Sequence, residues 1–159
     1  MSGGTPSARE RWNTLRTSAG QVDANLLDAL WSDLSPVRAS SVLGSWRGFA
    51  FPTGHPVERT LARSRWHGKR FVALDDARPL ICRADDGSLR SDTTSGLGAA
   101  SLWDIEFRGE VTATMVYDGM PVFDHFKRVD DDTLLGVMNG KAAPLSASGH
   151  LFYFGLERE

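Results

Sequence analysis

Period two governs this chain from Gly44 to its C-terminus. Short apolar runs alternate with polar residues, and glycine, proline or clustered acids interrupt them every few positions. Successive side chains of a strand point to opposite faces, so such a run has one face to bury and one to expose. The clearest case is Glu110–Tyr117, where Val111, Ala113, Met115 and Tyr117 share one face, opposite Thr112, Thr114 and Val116. In the last run Phe152, Phe154, Leu156 and Arg158 lie together, opposite Leu151, Tyr153, Gly155 and Glu157. The alternation predicts strands at Ser45–Phe51, Arg65–Ala73, Arg78–Arg83, Ser101–Arg108, Glu110–Tyr117, Val122–Val129, Thr133–Met138 and His150–Arg158. Asp118-Gly119 tolerates the positive φ angles of a tight hairpin, and Asp130-Asp131-Asp132 marks a second, solvated turn. Asp85–Gly98 is polar and small, hence a loop, and Leu61 falls in a short helical turn.

The N-terminal part has a different period. After a disordered tail over residues 1–6, Ser7 and Glu10 have capping-box spacing, which predicts a helix from about Ser7 to Ser18 with Trp12 and Leu15 as its apolar content. Val22, Leu26, Leu27, Leu30, Trp31 and Leu34 recur at helical spacing, and Ser35-Pro36 stops that second helix. A short turn then runs to about Val42. Consecutive strands joined by hairpins favour a meander, and closing it into a barrel removes its exposed edges. The predicted fold is mainly β: one antiparallel barrel over 44–159, preceded by N-terminal helices over 7–43, one domain overall. The alternative is a pleckstrin-homology-like barrel, which normally ends in a helix, whereas this chain ends in the strand-like Leu151-Phe152-Tyr153-Phe154.

Bulk properties exclude several classes. The formal net charge is -2, from 18 basic and 20 acidic residues, too balanced for a nucleic-acid partner. The one cysteine, Cys82, cannot form an intrachain disulfide and sits among apolar neighbours, as a core residue does. The N-terminus lacks the apolar run of a signal peptide, and no stretch approaches the roughly 20 apolar residues of a transmembrane helix. The expected location is the cytoplasm, with peripheral membrane contact left open. Four histidines without a close pair at ligand spacing give no zinc signature, and the three adjacent acids lack the spacing of a calcium loop. Nucleophile-elbow, phosphate-loop and dinucleotide motifs are lacking too.

Gly44-Ser45-Trp46-Arg47-Gly48 is the most distinctive motif. A Gly-x-Trp-x-Gly run entering a first strand puts a large ring at a barrel floor, with glycines where the backbone passes closely. Here the chain resembles the GXWXG protein family. The likeness continues through Thr53-Gly54-His55-Pro56, Trp66-His67-Gly68-Lys69-Arg70-Phe71 and Pro79-Leu80. The C-terminal third resembles the companion domain of unknown function, on Met115-Val116-Tyr117-Asp118, Pro121 to Phe126, Gly136-Val137-Met138 and Phe152-Tyr153-Phe154. A looser similarity is to lipocalins and other calycin barrels, in which an arginine of the last strand stacks over that tryptophan. Arg158 and Trp46 stand in the corresponding places, as structural residues with Gly44 and Gly48. No cofactor is expected, although the calycin likeness leaves open a haem held by one histidine.

The candidate ligand site comprises His55, Lys69, Met115, Tyr117, Phe123, His125 and Lys127. His55, Lys69 and His125 are expected to converge at a mouth and hold a polar head, with apolar strand residues against the rest of the ligand. If Phe123 and His125 face the lumen, Lys127 continues that face. Asp124, one residue away, then points to the other side. The expected function is non-enzymatic binding of a lipid or other small hydrophobic molecule, within or at the mouth of the barrel. The alternatives are a barrel enzyme using His55 or His125 as acid/base on a hydrophobic substrate, and a module reading acidic phospholipid headgroups.

Overall fold

The computed structural model describes residues 3–94, 98–141, 143 and 149–159. Part of the expected N-terminal tail and part of the Asp85–Gly98 loop therefore lie outside the described residues. Helix α1 spans Ala8–Arg16, and its capping box forms as read: the Ser7 side chain accepts from the Glu10 N–H while the Glu10 carboxylate accepts from the Ser7 N–H. Helix α2, Ala24–Asp33, starts at Asp23, whose carboxylate accepts from the Asn25 N–H. The strands are β1 (Ser35–Pro36), β2 (Gly44–Ala50), β3 (Trp66–Ala73), β4 (Asp76–Arg83), β5 (Leu89–Ser91), β6 (Ala100–Phe107), β7 (Glu110–Tyr117), β8 (Val122–Asp130), β9 (Thr133–Gly140) and β10 (Phe152–Arg158). A 3₁₀ turn at Ala39–Ser41 precedes β2, and helix α3, Val57–Arg63, links β2 to β3.

Eight strands form a closed antiparallel meander in the order β2-β3-β4-β6-β7-β8-β9-β10, and β10 pairs back onto β2. This is the mainly β, calycin-like barrel behind N-terminal helices that the alternation predicts, and it ends in a strand. Short strands β5 and β1 add to β4 and β8. The weakest seam joins β4 and β6. Among the described residues only Ala77 and Ala100 pair there, helped by the Leu102 N–H donating to the Leu74 carbonyl at 2.7 Å.

The sheet has two apolar faces. Trp46, Phe71, Leu102, Met115, Phe126, Leu134, Phe154 and Leu156 fill the lumen. On the outside, α1 and α2 bury Trp12, Leu27, Leu30 and Trp31 against Phe51, Leu135, Val137 and Tyr153. Each fully buried side chain of this size contributes roughly 1.5–3 kcal/mol, so the helices are part of the core. Among the described residues no helix is long and apolar enough to cross a membrane.

Candidate functional site

One end of the barrel is shut by its own motif. The Trp46 indole N–H donates to the Val42 carbonyl at 2.8 Å, and the Arg158 guanidinium carbon lies 4.1 Å from the centre of the indole ring. Arg158 also donates to the Leu43 carbonyl at 2.8 Å, and its Nε lies 3.3 Å from Asp132. These contacts tie the last strand to the segment that enters the first. Both motif glycines make room for side chains. A Cβ on Gly44, whose φ is +128°, would stand 2.8 Å from the Arg158 guanidinium, and one on Gly48 would stand 2.2 Å from the Trp66 ring.

The other end holds a buried polar cluster. β8 runs away from it from Asp124 to Arg128, β9 runs toward it from Leu134 to Met138, and β10 leaves it from Phe152 to Arg158. Asp124, Met138 and Phe152 therefore lie together, opposite Arg128, Leu134 and Arg158. Lys69 Nζ lies 2.8 Å from Asp124 Oδ2, and the two residues are 4% and 1% exposed. The Tyr117 hydroxyl donates to the same oxygen at 3.2 Å, and Lys69 donates to the Tyr117 oxygen at 3.4 Å. Three rings surround the ammonium, with centres 5.1 Å (Phe154), 5.5 Å (Trp66) and 5.7 Å (Tyr117) away. Burial, reinforced by the Asp124 carboxylate, holds the Tyr117 phenol well above its usual pKa, so it stays protonated.

Asp124 Oδ1 is buried with no hydrogen-bond partner among the described residues. Such an atom is costly to leave unsatisfied. Asp124 lines a cavity of about 20 Å³, with Lys69, Tyr117, Leu61, Trp66, Leu80, Met138, Phe152 and Phe154. A groove of about 300 Å³ runs along the outside between β2 and α3 and shares Leu61 and Trp66 with that cavity. These two half-buried side chains form the partition. A wider groove, about 500 Å³, lies between the 3₁₀ turn and β6, lined by Arg38, Leu74, Trp103 and Asp104 among others. None of the buried unpartnered atoms among the described residues lines it, so it is a weaker candidate despite its size.

The residues singled out in the sequence divide between two faces. Lys69, Met115 and Tyr117 are inside the barrel. Residues paired directly across strands share a face: Asp124 stands opposite Met115 and points inward, while His125 stands opposite Thr114 and points outward. Phe123, His125 and Lys127 therefore do not join Lys69, and the expected convergence of His125 with it does not form. His125 is buried against the outside of the sheet, its ring stacked on Phe107 at 4.0 Å and its Nδ1 2.8 Å from the Thr114 hydroxyl. Burial, and secondarily the Arg108 charge, lowers its pKa to about 4. Lys127 donates to the Trp31 carbonyl at the end of α2 at 3.0 Å and pairs with Glu110.

His55 is buried with its ring 5.5 Å from that of Phe152, one side chain away from the cavity, and its Nδ1 accepts from the Val57 N–H at 3.2 Å. Asp124, Trp66, Leu61 and Phe154 complete the site without having been assigned to it from the sequence. The signal for Asp124 was available, because a hairpin across Asp118-Gly119 that puts Met115 inward puts Asp124 inward as well. Among the described residues no cluster of three or more metal-ligating side chains occurs.

Comparison with known proteins agrees with the geometry. A crystal structure described as that of a protein from Thermomonospora curvata superposes with a TM-score of 0.86 at 38% identity, covering 96% of this chain and 98% of that one. No curated protein matches the chain significantly. The GXWXG protein family matches residues 29–87, and DUF4334, a domain of unknown function, matches residues 98–158. The chain belongs to the GXWXG family, with a DUF4334 segment completing its barrel.

Proposed function

We propose that the protein is a non-enzymatic binder of a small, largely apolar molecule, held at the end of the barrel opposite Trp46 with its polar head against Lys69, Asp124 and Tyr117. The observation that carries this reading is the unpartnered Asp124 Oδ1, buried beside an ammonium in an aromatic and aliphatic surround. Sites of this kind are mostly apolar with a few placed polar groups. The lumen below is packed with Phe71, Phe126 and Phe154, so the guest lies at the mouth rather than along the barrel axis. Access runs through the groove between β2 and α3, where Leu61 and Trp66 must turn aside.

The test is an amide NMR titration with N-phenyl-1-naphthylamine, a neutral apolar probe with one N–H. Shifts centred on Leu61, Trp66, Met138 and Phe152 support the mouth site, and Leu61→Trp, which overfills the partition, should abolish them. Shifts centred on Trp103, or none at all, would overturn the reading.

A further inference from the structure

We infer that the site selects an uncharged head that donates a hydrogen bond, an alcohol or phenol, and rejects a carboxylate on the same carbon skeleton. This rests on the mouth site proposed above and specifies its chemistry. The two carboxylate oxygens of Asp124 are unequally used. Oδ2 faces Lys69 at 2.8 Å and accepts the Tyr117 hydroxyl at 3.2 Å, while Oδ1 has no partner among the described residues. What Oδ1 lacks is therefore a donor. The Tyr117 proton is already directed at Oδ2, and the Lys69 ammonium is otherwise ringed by Trp66, Tyr117 and Phe154.

Lys69 is the lysine to which an acidic head would be drawn, but Asp124 already balances its charge. A second carboxylate would meet a buried like charge in apolar surroundings, where such repulsion is weakly screened. A hydroxyl meets no such penalty and completes Oδ1. An ether of the same shape brings only an acceptor and leaves Oδ1 unsatisfied.

Three probes with one skeleton separate these cases: para-butylphenol, para-butylanisole and para-butylbenzoate, titrated calorimetrically, with amide NMR to locate each. The expected order places the phenol at least about tenfold tighter than the other two. In Asp124→Asn the Lys69 charge loses its counterion, and the benzoate should bind at least about tenfold tighter than it does to the native protein. Should that variant fail to fold, the ranking on the native protein decides alone. Benzoate or anisole binding as tightly as the phenol, with shifts at Trp66 and Met138, overturns the head-group assignment and leaves the mouth site standing. Absence of binding by all three overturns both.

Discussion

Gly68 illustrates how little freedom single positions have in this barrel. A Cβ there would lie 1.9 Å from the Trp46 carbonyl oxygen and 2.9 Å from the Gly48 nitrogen, both backbone atoms that cannot turn aside. Gly68→Ala is therefore expected to cost at least about 2–3 kcal/mol, read as a lowered urea midpoint with unchanged slope. His125 makes a prediction of the opposite kind, visible only through pH. Its folded-state pKa of about 4 lies below the ordinary 6.5, so the unfolded chain takes up a proton first. Stability from this group is complete above the unfolded value and is lost as pH falls through 6.5 toward about 4. Between about pH 7 and about pH 4.5 the loss amounts to roughly 2–3 kcal/mol. Urea unfolding at the two pH values should show His125→Gln losing less stability by about that amount. At this scale the sequence reading put His125 with Lys69, whereas the structure puts it on the outer face of β8. Alternation states which residues share a face, never which face is the lumen.

Elements differ in how firmly they are held. Helix α2 has an Asp23 cap and buries Leu27, Leu30 and Trp31, and its last turn is tied to β8 through the Lys127 ammonium on the Trp31 carbonyl. Lys127→Met leaves the Trp31 carbonyl with only the Leu34 N–H, 3.3 Å away, and removes the partner of Glu110. It should destabilise the protein by about 1–3 kcal/mol, with amide exchange in α2 accelerated before the rest of the sheet. Helix α3 is held less firmly: its N-cap Pro56 offers no side-chain hydrogen bond, only His55 Nδ1 accepts from its first N–H, at 3.2 Å, and it buries no residue fully. Its amides should exchange faster than those of α2 in the free protein and slow when para-butylphenol is bound. Unchanged exchange with ligand bound would separate α3 from access to the cavity. Strand limits were legible to within about two residues, because Gly and Pro punctuate them and the apolar period is strict. β5 was not: Leu89 and Arg90 are exposed, and the strand exists only because β4 offers it an edge.

At the scale of the whole molecule, two family segments share one barrel. The first supplies β2, β3 and β4, the second β6 to β10, and neither can close a sheet alone. They meet at the narrow β4–β6 seam and at the long β2–β10 ladder, where Phe154 to Arg158 pair with Ala50 to Trp46. Unfolding should therefore be one cooperative transition, with tryptophan fluorescence and far-ultraviolet dichroism coinciding, and residues 98–159 expressed alone should not fold. Two separated transitions, or a folded fragment, would contradict shared closure. The amino-acid sequence by itself determined the eight barrel strands, the two N-terminal helices, the meander and the Gly-x-Trp-x-Gly entrance to the barrel, since these follow from local period and turn chemistry. Tertiary structure alone decided which face of the β7–β8 hairpin looks inward, and so put Asp124, with Met115 and Tyr117, on the side of Lys69 and His125 on the other. A period of two is symmetric between faces, and only the neighbouring strands and the packing of α2 outside the sheet break that symmetry.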